Sequence, residues 1–300
     1  MAESEVEQNI IISVVIPSYN EERHIERCLH SVLAQKIAEK YEVIVVDSSQ
    51  DKTVEIIQAN FPNVRLIRRA EQTYPGEARN IGVMNARGRI IAFLDGHCVA
   101  DVYWLRNALR AMKEHDCFIV GGALRNNNSR KLVGVADFIL AFNEFAEGMP
   151  SRMVDFMPTC NLVCTKEAFE EVGGFDVNLR AGEDTMFCYV AGKKGYSLYF
   201  DAQVLVTRTN RDSCGAFLRH HYTFGKYSAQ VRKKVKLPGH IFARYPLLSL
   251  GVPLVRLLRI SSRIIRWNRF MLPEFLLSFP LTFLGIMVWS WGFVVGSVRK

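Results

Sequence analysis

Apolar positions along the first 210 residues follow two alternating periods. Short unbroken runs at residues 10–16, 41–46, 64–67, 89–94 and 118–123 have the length and β-branched content of strands buried on both faces. Between them, residues 21–36, 53–60, 77–86 and 104–113 set apolar side chains three and four apart, as in Ile25, Leu29, Val32 and Leu33. Strands alternating with helices at this spacing predict an α/β fold with a mostly parallel, doubly wound sheet. Further helices are expected at 132–145, 166–172 and 183–192, and further strands at 162–164, 196–200 and 204–207. In such sheets ligands gather at the carboxyl ends of the strands. Residues 17–20, 47–51 and 95–97 follow the first, second and fourth strands and so share that edge.

The pattern changes past residue 231. Residues 245–255 are apolar but too few to cross a bilayer. Arg256, Arg259, Arg263, Arg266 and Arg269 then recur every three or four residues, with Leu257, Leu258, Ile260, Ile264, Ile265 and Trp267 between them. This is the pattern of a basic amphipathic helix in a membrane interface. Residues 275–298 carry no ionisable side chain and, as a helix of about 36 Å, would cover a hydrocarbon core of about 30 Å. A membrane segment is expected there, with a re-entrant bend at Pro280 as the alternative to a full span. The chain is accordingly divided into a catalytic domain at 1–231 and a membrane-associated portion at 232–300.

Charge sharpens that division. The chain has 38 basic and 30 acidic residues, for a net charge of +8. Ten of the basic residues fall between Arg232 and Arg269, where no acidic residue occurs, and Arg299 and Lys300 add two more. The remainder is mildly acidic, which disfavours a nucleic-acid partner and points to anionic membrane lipids as the target of the basic block. Such a block stays on the cytoplasmic side, so the expected location is the cytoplasmic face of the inner membrane. The opening residues, MAESEVEQN, are polar and acidic, without the features of a secretory signal. Seven cysteines lack metal-type pairing and are expected to be free, largely buried thiols.

Several residues at the shared edge have the chemistry of a diphosphate site. Asp47 and Asp51 follow the second strand, where they cap the next helix or bind a nucleotide. A dinucleotide site would need GxGxxG after the first strand, and that turn instead reads PSYNEE, offering Pro17, Tyr19 and Glu21. Arg79, sixteen residues before Asp95, suits a phosphate contact or a brace for the acidic loop. Asp95 and His97, two apart just beyond a buried strand, can share a divalent cation, Mn²⁺ or Mg²⁺. Glu183 and Asp184 open a helix, where the helix dipole favours acidic residues in any case. Beside a bound diphosphate, a carboxylate there could serve as general base. His220 or His221 is a possible third cation ligand.

Four ordered segments resemble the family 2 glycosyltransferases, which have the GT-A fold. VVIPSYNEE (14–22) is similar to the family's opening strand and turn, and VVDSSQDKT (45–53) to its VDDGSTDGT, with Ser48 and Gln50 departing. GEARNIGVMNARGRIIAFLDGH (76–97) resembles GxAxARNxGxxxAxGxxIxFLDAD, and GGFDVNLRAGEDTMFCYVAGKKGY (173–196) resembles the acceptor-side block. The resemblance spans residues 11–230. It implies Asp47 near the nucleotide base, Asp95 and His97 around metal and diphosphate, and Asp184 as the base of an inverting displacement. His97 replaces the last Asp of the usual DxD. A similar DxH holds manganese in polypeptide N-acetylgalactosaminyltransferases. No QxxRW follows, unlike processive polymerases, and the tail resembles bacterial exopolysaccharide enzymes of the succinoglycan type.

The resemblance thus implies transfer of a sugar from a UDP- or GDP-linked donor to a lipid-linked or polysaccharide acceptor. Two other readings stay open at this point: a nucleotidyltransferase, and a non-catalytic membrane scaffold with a degenerate site.

Overall fold

The computed structural model describes residues 10–298; the polar opening segment and the terminal Arg299–Lys300 pair lie outside the described residues. Its contacts divide the chain into two units. The first comprises the residues up to 123 with 151–178 and 183–207, and the second comprises 124–150, 179–182 and 208 onward.

The strands are β1 (Ile12–Ser18), β2 (Tyr41–Asp47), β3 (Arg65–Arg68), β4 (Ile90–Leu94), β5 (Cys98–Ala100), β6 (Ile119–Asn126), β7 (Arg152–Val154), β8 (Asn161–Thr165) and β9 (Leu198–Arg208). The helices of the first half of the chain are α1 (Ile25–Leu33), α2 (Thr53–Asn60), α3 (Pro75–Met84) and α4 (Trp104–Glu114). Those of the second half of the chain are α5 (Leu132–Phe142), α6 (Lys166–Val172), α7 (Glu183–Lys193), α8 (Cys214–Lys234), α9 (His240–Arg244), α10 (Val252–Trp267) and α11 (Leu272–Val298). The sheet order is β3-β2-β1-β4-β8-β6-β9-β5, with β7 paired to β9. β3, β2, β1 and β4 run parallel. β8 then runs antiparallel to both β4 and β6, so the sheet is mixed.

The parallel half follows from its sequence. β1 is buried almost throughout, and α1 presents Ile25, Cys28, Leu29 and Val32 inward. Pro75 starts α3 at a position whose N–H would have no helical partner. Gly82 lets α3 lie directly on β1, because a Cβ there would meet Val15 Cγ1 at 2.3 Å.

The antiparallel half departs from expectation. β5 and β7, three residues each, are too short to give a period. Residues 198–208 form one strand where two were expected. The apparent break at Asp201 is absorbed, since its carboxylate accepts from Arg110 Nη2 at 2.8 Å and from the Gln203 N–H at 2.7 Å. Buried Asn161 ties this half together. It accepts from Trp104 Nε1 at 2.8 Å and donates to the Ala123 and Val204 carbonyls at 3.0 and 2.9 Å. Six of the cysteines are buried and Cys214 is exposed, all as free thiols.

In the second unit, α11 is an unbroken helix of 27 residues that contains Pro280. Among the described residues it is the one helix long and apolar enough to cross a membrane. The basic amphipathic stretch forms α10.

Candidate active site

The site is built at the carboxyl ends of β1, β2 and β4, where the parallel register sets Ser18 beside Asp47. Two loops there are stitched together. Asn20, in the left-handed region at φ 56°, donates its N–H to Ser49 Oγ at 2.7 Å and accepts from the Gln50 N–H at 2.9 Å. The Glu21 N–H reaches Thr53 Oγ1 at 2.9 Å, and the Glu22 N–H reaches Asp51 Oδ2 at 3.1 Å. Asp51 also accepts from the Thr53 N–H at 3.0 Å, and these bonds hold its carboxyl below the usual carboxylate range against the opposing effect of desolvation. Asp47, fully buried, accepts from the N–H and the hydroxyl of Ser49 at 2.8 and 2.7 Å. Both aspartates therefore shape the turn after β2.

Arg79 is the hub of the acidic groups. It is 3% exposed, and its two terminal nitrogens donate to Asp95 Oδ1 at 2.6 Å and Glu183 Oε1 at 3.0 Å. Desolvation opposes its charge, but the neighbouring carboxylates more than compensate and keep it firmly cationic. The bridge depends on how the Gly-Gly-Phe-Asp turn docks on α3. Gly173 and Gly174 both have positive φ, and the Asn80 amide brackets Phe175, accepting from its N–H at 2.9 Å and donating to its carbonyl at 2.8 Å. Phe175 packs with Phe93, Phe169 and Phe187. This clamp carries the chain toward α7, whose first residue is Glu183.

Asp184 follows on α7. It reaches water, yet it is densely surrounded by protein. Desolvation, reinforced by the charge on Glu183, pushes its carboxyl up to about 7. A carboxylate titrating there is suited to take a proton near neutral pH.

His97 is oriented by Glu21. Its Nδ1 lies 2.8 Å from Glu21 Oε1, and its Nε2 lies 3.9 Å from Asp95 Oδ2. A carboxylate on one ring nitrogen commonly fixes the other toward a metal. Ligand atoms of Asp95, His97 and Cys98 lie within 4.8 Å of one another. Carboxylate and imidazole fit Mn²⁺ or Mg²⁺ as donors; a buried thiol suits these hard ions poorly.

An open hollow lies here, lined by Pro17, Tyr19, Glu21, Arg79, Asp95 and His97 of the expected residues. Ser18 and the segment 72–74 also line it and were not singled out from sequence. They are linked through Ser48, whose Oγ accepts from the Thr73 N–H at 3.1 Å and whose N–H donates to the Ser18 carbonyl at 3.1 Å, pairings no local pattern signals. Asp47, Asp51, Glu183 and Asp184 are not among its lining residues. His220 and His221 belong to the other unit. There His221 Nε2 lies 2.9 Å from Asp137 Oδ1, both side chains being buried, and His220 stacks on Phe224.

Comparison with known proteins agrees with this architecture. The model of the family described as Glycosyl transferase family 2 matches residues 13–173. Glycosyltransferase AglE of Haloferax volcanii is 32% identical over 226 residues, 73% of each chain. A dolichyl N-acetyl-α-D-glucosaminyl phosphate diacetamido-dideoxy-glucuronosyltransferase of Methanococcus voltae is 27% identical over 245 residues, 74% of each chain. The crystal structure of S. aureus TarS 1-349 in complex with UDP-GlcNAc superposes with a TM-score of 0.58 at 17% identity, over 96% of this chain and 90% of that one. That likeness shows the GT-A fold. With the family match extending from β1 through α6 and a relative similar over most of both chains, the protein belongs to glycosyl transferase family 2 and is a glycosyltransferase.

Proposed function

We propose that the chain is a metal-dependent, inverting glycosyltransferase at the cytoplasmic face of a membrane. Its donor is a nucleotide-diphosphate sugar, UDP- or GDP-linked, and its acceptor a lipid-linked or polysaccharide glycan. The process is cell-envelope or exopolysaccharide synthesis of the succinoglycan type. Residues 1–231 supply catalysis, and 232–300 hold the enzyme to lipid. The observation that carries the reading is the Arg79 bridge, which fastens the Asp95 loop to Glu183 at the start of α7, the helix that also carries the general-base candidate Asp184. The M. voltae relative's name specifies a dolichyl phosphate-linked substrate, which supports a lipid-linked acceptor.

In the proposed reaction Asp184 takes the acceptor hydroxyl proton as that oxygen bonds to the anomeric carbon. The bond from that carbon to the diphosphate oxygen breaks on the opposite face, and the nucleoside diphosphate leaves with the electron pair. Asp95 and His97 would hold a divalent cation, which supplies charge neutralisation for the leaving diphosphate. Pro17, Tyr19 and Glu21 line the donor side, and Asp47 and Asp51 fix the turn that faces the nucleotide.

Family membership sets the nucleotidyltransferase reading aside. The test is transfer and hydrolysis of UDP- and GDP-sugars with and without Mn²⁺, with donor affinity measured by calorimetry. Asp184→Asn should abolish transfer and keep donor binding. Loss of both would make its role structural, and a parent chain that binds neither metal nor nucleotide would return the scaffold reading.

A further inference from the structure

We infer that α11 does not cross the bilayer but lies along it, the outward sides of α10 and α11 docking on an anionic headgroup layer. This rests on the membrane association proposed above and specifies its geometry.

The first argument is the seam between α11 and α8. A Cβ at Gly292 would meet the Tyr222 carbonyl oxygen at 2.1 Å, and one at Gly296 would meet that of Lys226 at 2.2 Å. A Cβ at Gly225 would meet the Trp289 carbonyl oxygen at 1.9 Å, and at Gly285 one would meet Phe217 Cζ at 2.6 Å. Positions 285, 292 and 296 of one helix thus meet 217, 222 and 226 of the other in the same order. The two helices run parallel, backbone against backbone, with no room for lipid between them. Wherever the middle of α11 sits, α8 sits too, and α8 carries Arg219, His220, His221 and Lys226 over that stretch. Arg256 joins them: its guanidinium stacks 3.9 Å from the Trp289 ring, and Nη2 donates to the Leu140 carbonyl at 3.3 Å. Trp289 lies near the centre of the apolar run. A spanning α11 would therefore carry lysine and arginine to hydrocarbon depth, where charged groups are strongly disfavoured.

The second argument is the sidedness of α11. Ser278 and Thr282 are fully buried against the rest of the unit, as are Ser290 and Ser297 nearly so. Leu276, Leu277, Trp291 and Val298 are each more than 60% exposed. The preceding elements continue the exposure: Leu247 is 84% exposed, Leu250 74% and Phe270 94%. Soluble surfaces rarely leave so much large apolar side chain uncovered. What covers it is identified by charge. Between Arg232 and Arg269 the sequence has ten basic residues and no acidic one, and half-exposed Tyr245 and Trp267 are suited to the headgroup layer.

The experiment uses the full chain with a tag at each end, in inside-out membrane vesicles from expressing cells, treated with protease. Recovery in the membrane fraction with both tags digested is expected. Digestion of the first tag with protection of the second would show that α11 crosses, overturning the geometry while leaving membrane association intact. Recovery in the soluble fraction alone would overturn membrane association itself. In flotation with purified protein, vesicles containing phosphatidylglycerol should bind about tenfold more tightly than neutral ones. Equal partition would overturn the anionic headgroup as occupant. Leu247→Ser with Phe270→Ser should weaken flotation severalfold at an unchanged melting temperature, and undiminished flotation would count against the docking face.

Discussion

Asp184→Asn should separate stability from activity in opposite directions. An ordinary aspartate titrates near 3.8, whereas burial and the Glu183 charge push Asp184 up to about 7. Below pH 3.8 the carboxyl keeps its proton in native and unfolded chains alike and contributes nothing. Between 3.8 and about 7 the unfolded chain releases the proton while the native chain retains it, so stability falls as pH rises. Above 7 the full penalty of a buried charge is present. The difference between the two titration points corresponds to about 4 kcal/mol at most. Because the side chain reaches water, the expected value is discounted to about 1–2 kcal/mol. Asparagine cannot ionise and retains the oxygen that accepts the Thr185 N–H at 2.7 Å. The variant should therefore melt about 2–8 °C above the parent at pH 8 and match it at pH 4, while showing no sugar transfer. Circular-dichroism melts of both proteins at the two pH values are the assay. Equal shifts at both pH values, or a less stable variant at pH 8, would refute the placement of this carboxyl.

Three further outcomes follow from the same geometry. Arg79→Met leaves Asp95 and Glu183 without their shared cation and should cost about 3–5 kcal/mol in urea titration at pH 7.5. Glu21→Ala frees His97 Nδ1 and should lower Mn²⁺ affinity about 10–100-fold by calorimetry with little change in melting temperature. Gly88→Ala places a Cβ 2.6 Å from the Ile12 carbonyl carbon and the Ser13 nitrogen, and should destabilise the fold by about 1–3 kcal/mol in the same titration.

The parallel half of the sheet was legible because strands covered on both faces leave long apolar runs, as in residues 12–16 and 43–46. The antiparallel half was less so. β5 and β7 are too short to show a period, and β9 runs through Asp201, whose carboxylate is paired with Arg110, ninety-one positions earlier. At the candidate site, residue types at strand ends and in the helices α3 and α7 singled out the acidic groups and Arg79. Which of them pair was not legible, since Arg79 joins Glu183 across 104 positions and Glu21 joins His97 across 76. The apolar helix α11 shows the same limit. Composition gave its length and apolarity, but the glycine seam with α8 exists only once the chain is folded.

The stitching of residues 20–22 to residues 49–53 has a consequence for redesign. Five hydrogen bonds among Asn20, Glu21, Glu22, Ser49, Gln50, Asp51, Lys52 and Thr53 make the two turns one mechanical piece. A chimera that imports only one of them from another enzyme inherits donors and acceptors whose partners have stayed behind. On the donor-binding role proposed for these turns, specificity belongs to the pair, and both segments have to be grafted together for a new one to arrive intact.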